Sequence, residues 1–312
     1  MLGRQNLTPA AYTANRFYLE LDNRPAGWLY SAEGGQASTE VVQQRVAGGH
    51  PVRKHPGNVK FDDITLTCGT GMSRAFYDWI KHSLRYDHQR KEGAIVVGDY
   101  DFKETTTLEF QQGLLSEISL PALDATSKEP CKLTVKISPE RTKMKFHDRS
   151  RSIRPVQIDA RKQKMWLPCN FRLDIPGFNC RRVNKIEALT IKQKVIDNAI
   201  GEELVFEKEP VQIDFPNLVL TLPEADAKAW YDWHHSFVID GKSDPDQEKG
   251  GHLEYLTPDM KTVLFTVKFH HLGIIKFTPD KLEAGSDKLR MVKIEMYCEQ
   301  MEFEPSAAAT WM

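Results

Sequence analysis

Long apolar runs are missing from this 312-residue chain. None approaches the ~18 residues that a membrane helix requires, so no membrane partner is expected. The opening Met1-Leu-Gly-Arg-Gln-Asn-Leu7 has no apolar signal region, and export by a leader is not expected. Cysteine is scarce and odd in number: Cys68, Cys131, Cys169, Cys180 and Cys298, with no C-x-x-C pair. That usage fits reduced thiols in the cytoplasm rather than a disulfide framework. An excess of one charge is also missing. The formal net charge is −1, so no global field steers the chain to nucleic acid or anionic lipid.

Catalytic and metal signatures are absent in the same way. There is no H-E-x-x-H, no G-x-S-x-G and no cysteine flanked as a nucleophile would be. His234-His235 and His270-His271 invite a metal reading. Adjacent residues on a helix or strand point apart, so neither pair readily clamps one ion. Gly69-Thr-Gly71 precedes a helical pattern, where backbone amides can hold an anion. It lacks the lysine of a phosphate loop, and the corresponding Leu222-Pro-Glu224 does not repeat it, so a turn is expected there. No catalytic, cofactor-binding or metal-ligating residue is assigned, and no cofactor is expected.

What the chain does contain is itself, twice. Phe61-Asp-Asp-Ile-Thr-Leu-Thr-Cys68 leads to Tyr77-Asp78-Trp79. Phe215-Pro-Asn-Leu-Val-Leu-Thr-Leu222 leads to Tyr231-Asp232-Trp233, offset by 154 residues throughout. The likeness extends outward in conserved order. Arg16-Phe-Tyr-Leu-Glu-Leu-Asp22 pairs with Asn170-Phe-Arg-Leu-Asp-Ile175, and Gly93-Ala-Ile-Val-Val97 with Gly251-His-Leu-Glu-Tyr255. Thr107-Leu-Glu-Phe110 pairs with Val267-Lys-Phe269, and Lys132–Ile137 with Met291–Met296. Solenoid repeats have periods of about 20–50 residues, so this is instead a domain-sized unit duplicated.

Each copy reads as strands around one helix. Phe17, Leu19 and Leu21 alternate, as do Ile64, Leu66 and Cys68, the period of half-buried strands. Phe76, Trp79, Ile80 and Leu84 fall at helical spacing with Ser73 placed as N-cap; Trp230, Trp233 and Phe237 make the second stripe. Pro223 and Glu224 are placed at the start of the second helix. Asp78 and Asp232, flanked by aromatics, are expected to face solvent or a neighbouring subunit. Long hairpins are expected over 94–120 and 251–277, projecting to complete a sheet elsewhere. Residues 141–165 carry nine Lys or Arg against two Asp. A basic arm is one reading. A solvated linker whose first part, through Phe146, completes a strand is preferred, because no aromatics are interleaved.

The ordered combination resembles the tail-tube protein family of contractile phage tails and contractile injection systems. It is carried by Phe17–Asp22, Ala26-Gly-Trp28, Glu33-Gly-Gly35, Lys60–Leu66, Phe76-Tyr-Asp-Trp-Ile80, Arg90-Lys-Glu-Gly-Ala94 and Pro121-Ala-Leu-Asp-Ala125. The second copy is similar but degenerate, with Lys185-Ile-Glu-Ala188 at the Glu-Gly-Gly turn. The resemblance implies a mainly β fold with one helix per domain (α+β): two tandem tail-tube-like β-sandwich or barrel domains. These are placed at 1–147 and 166–312, with 148–165 as basic linker. It further implies a non-enzymatic structural subunit that self-associates into a ring at or near an end of the inner tube, as hub, initiator or adaptor. Neighbouring tube, hub, spike, sheath or baseplate proteins would be its partners, after assembly in the cytoplasm. Side-by-side copies would give a trimer with pseudo-six-fold symmetry, the arrangement preferred here; stacked copies would give a hexamer with two layers. The rival reading is a two-domain β-barrel ligand-binding module outside any tail.

Overall fold

The computed structural model describes residues 16–44, 52–153, 166–198, 206–282 and 288–306. Alternating apolar positions make most of them strand. In the first copy these are β1 (Arg16–Leu21), β2 (Arg24–Gly34), β3 (Ala37–Gln44), β4 (Arg53–Phe61) and β5 (Ile64–Met72). Helix α1 (Arg74–Leu84) follows, then β6 (Lys91–Gly98), β7 (Glu104–Leu120), β8 (Leu123–Asp124), β9 (Leu133–Ser138) and β10 (Arg141–Phe146). The second copy holds β11 (Phe171–Asp174), β12 (Lys185–Ile186), β13 (Leu189–Asn198), β14 (Glu207–Asp214) and β15 (Leu218–Pro223). It continues with α2 (Lys228–His234), β16 (Lys249–Leu256), β17 (Val263–Pro279) and β18 (Met291–Pro305).

In the first copy the sheet runs β7-β6-β1-β2-β5-β9, and β9 returns to β7, so a barrel closes. In the second, β11-β16-β17-β18-β15-β12 follows the same path without a β11–β12 ladder. The duplication survives at the level of register. Ladder irregularities fall between Leu115 and Glu117 in β7 and between Ile274 and Lys276 in β17, and again in β6 and β16 at Lys91/Gly93 and Lys249/Gly251. Gln112 and His271 share a positive φ (51° and 56°), as do Phe102 and Met260 (56° and 59°). Bulges and left-handed residues in non-glycine positions are costly, so their coincidence marks one backbone used twice.

The helices seat as their stripes predict. Ser73 caps α1, its hydroxyl accepting from the Phe76 amide at 3.3 Å, and Phe76, Trp79, Ile80 and Leu84 are buried. The Trp79 indole donates to the Gln89 carbonyl at 2.8 Å, and the Trp233 indole to Gln247 at 3.3 Å, in matching places. The second helix differs from its expected start. Glu224–Asp226 form a separate 3-10 turn, α2 begins at Lys228, and His235–Ile239 continue as π-helix. Its start has no side-chain cap, because Ala227 stands where Ser73 caps α1.

Two further expectations are corrected. Gly69–Gly71 lie inside β5, not in a turn; Gly69 passes under the Tyr30 ring, where a Cβ would come within 3.3 Å. Near their turns the long hairpins do not project as free arms, although beyond Leu272 the β17 edge away from β18 has no partner strand among the described residues. Leu108 of β7 pairs with Ile95 on one side and Met144 on the other, so both edges are occupied within the chain. The basic segment also begins as structure. After β10, Arg149 donates to Asp99 at 3.0 Å, and Ile153 is buried against Gly98. Residues 154–165 and 307–312 lie outside the described residues.

Three outcomes follow. Leu108→Pro removes a ladder position inside the barrel and should unfold the first copy, seen as loss of a cooperative transition in thermal denaturation. Trp79→Ala, at a site with no exposed surface, should cost about 3–5 kcal/mol in chemical denaturation. Trp233→Ala, with 8% exposure, should cost less.

Candidate assembly surface

The two copies are joined by backbone pairing and share one hydrophobic core. Hairpin β13–β14 leaves the second copy and lies on the first. β13 adds to the C-terminal edge of β7, with Leu189 opposite Leu120, Thr190 opposite Ser119, Ile191 opposite Ile118 and Lys192 opposite Glu117. Leu189 and Ile191 are buried there, and the Ser119 and Thr190 hydroxyls meet at 2.8 Å. Edge strands have unpaired amides and carbonyls, and this pairing satisfies both. A smaller ladder joins β8 to β12, Leu123 opposite Ile186.

Polar contacts hold the second strand of the hairpin. Arg90 donates to the Lys208 carbonyl at 2.8 Å and pairs with Glu140 and, at 3.4 Å, with Glu207. The Lys208 ammonium reaches Ser138 at 3.0 Å. The Gln193 amide meets His88 at 3.0 Å, and burial holds His88 below the ordinary imidazole value.

Helix α1 completes the contact by packing on β18. The Tyr77 ring stacks on Phe303 with centroids 5.9 Å apart, its hydroxyl donating to the Thr70 carbonyl at 2.8 Å. Burial pushes the Tyr77 phenol well up. At the helix end, Arg85 donates to Glu302 at 2.9 Å and lies 3.8 Å from Glu304. The Arg85 hydrogen bond, outweighing partial burial, holds the Glu302 carboxyl below its ordinary range.

The residues weighed for chemistry are placed elsewhere. Asp78 pairs with Arg74 at 3.4 Å and Asp232 with Lys228 at 2.7 Å, both partly or fully exposed one-turn pairs on helix surfaces. His234 is partly buried, which lowers its pKa, while His235 approaches Asp240 at 3.4 Å. His270 and His271 diverge, to Glu302 at 3.8 Å and Glu248 at 2.8 Å. Glu248, His271 and Glu299 bring ligand-type atoms within 4.8 Å of one another on an accessible surface, with Glu248 already accepting from Tyr297. The five cysteines are free. Burial pushes the Cys68, Cys131 and Cys298 thiols up to about 12 and Cys180 up to about 11, so they are scarcely ionised at neutral pH. A groove beside β1 and β7 is lined with acids, two of which have basic partners: Glu104 takes His147 at 2.9 Å, and Glu109 takes Lys145.

Sequence reading missed the β3–β4 and β13–β14 hairpins and the Arg90 and Arg85 contacts. The signal was present in Leu189, Ile191 and Gln193, which alternate with Lys192 and Lys194 as a one-sided strand does.

The structure is thus a duplicated, mainly β unit whose halves are joined edge to edge. The model of the T4-like virus tail tube protein gp19 family matches residues 13–143 and again 167–302. The chain belongs to that family and carries its domain twice. No curated protein gives a match to this chain. Among solved structures, the cap that terminates the tube of the anti-feeding prophage is similar at 20% identity and a TM-score of 0.41, over 46% of this chain and 97% of that one. A chain from the sheath–tube complex of the extracellular contractile injection system PVC gives 21% and 0.40, over 45% and 94%. Hcp1 from Flavobacterium johnsoniae gives 9% and 0.27, over 44% and 95%.

A pH dependence follows from Glu302. Its folded pKa lies below the ordinary glutamate value, so its contribution is present above that ordinary value and is lost as pH falls through the lower folded value. Glu302→Gln should therefore unfold at lower temperature than wild type at pH 6, with the gap narrowing by pH 3 in scanning calorimetry. An unchanged gap would remove this contact from the account.

Proposed function

We propose that this chain is a non-catalytic ring subunit of a contractile injection system or phage-tail-like particle. Three chains lie side by side, placing six tube-type units around a channel in pseudo-six-fold symmetry. The ring sits at or near an end of the inner tube, as hub, initiator or adaptor between the tube and its neighbouring spike, sheath or baseplate proteins. Assembly takes place in the cytoplasm before incorporation into the particle. The units are 1–147 and 166–312, with 148–165 between them.

The observation that carries this reading is the addition of β13 to β7. A subunit of a closed β-ring must give a strand edge to each neighbour and receive one in return. Here the second copy gives such an edge to the first: its β13–β14 hairpin joins the first copy's sheet, while its remaining strands form a sheet of their own. Stacked copies would meet end to end and would leave these lateral edges bare.

Mass photometry and cryo-electron microscopy of the purified chain test the reading. The expected particle contains three chains of 35.7 kDa and shows six similar lobes around a channel. A six-chain particle with two layers would replace the trimer by the stacked arrangement. A monomer at high concentration that also fails to join its tube neighbours would favour the ligand-binding module instead.

A further inference from the structure

The internal joint buries one set of surfaces, and the repeat supplies each of them a second time. Between β7 and β17, and between β9–β10 and β18, the correspondence is an offset of 159 residues: Phe110 and Phe269 occupy equal ladder positions, opposite Thr142 and Met301. Hairpin β3–β4 corresponds to β13–β14 at the 154-residue offset, Ser38 pairing with Lys60 as Lys192 pairs with Asp214.

The second set is bare. On β17, the ladder with β16 ends at Leu272, and beyond it the edge opposite β18 has no strand among the described residues. This is the place that β13 fills on β7. Ile118 and Leu120 are buried under that pairing, whereas Pro279, the counterpart of Leu120, is exposed. Tyr77 is 1% exposed on α1, but Tyr231 is 47% exposed on α2. Phe303 is 2% exposed on β18, but its counterpart Met144 on β10 is 56% exposed, with Phe146 bare beside it. Hairpin β3–β4 forms a separate two-stranded sheet, with β3 exposed along its whole length, including Val41 and Val42. A lone two-stranded ribbon is marginal in water and an unpaired edge is a docking template.

We infer that the occupant of the bare β17 edge is the β3–β4 hairpin of a second copy of this chain, with α2 of the first chain packing on β10 of the second. This rests on the ring reading above and specifies its joint. By equivalence, Ser38 of one chain lies opposite Lys276 of the next, as Lys192 lies opposite Glu117 within the chain. Tyr231 stacks on Met144 as Tyr77 stacks on Phe303.

Charge decides which copy faces which. Glu302 and Glu304 flank Phe303 on β18 and suit Arg85 at the end of α1. Lys143 and Lys145 flank Met144 on β10 and would repel Arg85, so two first copies do not pair. The position of Arg85 is Ile239 in the second helix, exposed and apolar beside Val238, which fits the exposed Met144 and Phe146 better than a pair of glutamates. Unlike copies therefore alternate around the ring, and each chain contributes one joint within itself and one to its neighbour.

The test uses the full-length double variant Ser38→Cys/Lys276→Cys, both at exposed positions, treated with a short bismaleimide and run on a denaturing gel. Bands of two and three chains and none larger are expected, absent from either single variant. An assembled wild type whose double variant does not cross-link overturns the joint and leaves the ring reading standing. A ladder beyond three chains overturns closure, and a monomeric wild type overturns both. Independently, Met144→Asp and Tyr231→Asp, each at an exposed site, should raise the concentration needed for assembly by at least about tenfold without changing the thermal transition of the monomer. Assembly unchanged in both would overturn the packing of α2 on β10.

Discussion

The constraint on which this structure depends is that a sheet edge must be covered. Every strand has backbone donors and acceptors along both sides, and only ladders, closure or water satisfy them. The first barrel closes on itself through β7 and β9, yet β7 runs further than β6 can cover. The remaining edge takes β13 from the other half of the chain. Because the pairing is main-chain, it survives the divergence of side chains between the copies, and it joins the halves in one core.

Duplication then makes unequal positions out of equal backbones. The ladder bulges, the left-handed residues Gln112 and His271, and the indole hydrogen bonds of Trp79 and Trp233 are kept in both copies. The differences collect where the copies face other things. Leu189 and Ile191 are buried at the start of β13, while Gly35 and Ala37 stand at the same places in the first hairpin. Glutamates on β18 become lysines on β10. Selection on a duplicated unit has a free hand at such contacts, because each copy meets a different neighbour.

Much of this was legible in the sequence. The alternation in Ile64, Leu66 and Cys68 and the helical stripe of Phe76, Trp79, Ile80 and Leu84 placed a strand and a helix, and all of these side chains are buried. Those signals are local, since burial on one face imposes the period directly. Gly69–Gly71 misled because glycines read as a turn, whereas here they permit close passage of the Tyr30 ring within a strand. The hairpins misled for another reason. Their second arms, β7 and β17, run 17 residues each against 8 in the first arms, and which strands lie beside them depends on pairing across the chain, as for Leu108 between Ile95 and Met144.

By itself, then, the sequence determined the duplicated unit, its strand-and-helix composition and its family, because periodicity and ordered motifs are written along one dimension. Only the tertiary structure decided that β13 lies on β7, that Arg85 meets Glu302, and that, among the described residues, the outer face of β10 and the far β17 edge have no partner. Those facts join residues as far apart as Arg85 and Glu302. No local pattern encodes such a pairing: it emerges when edges are matched in space, and the competition among them is settled by burial and charge.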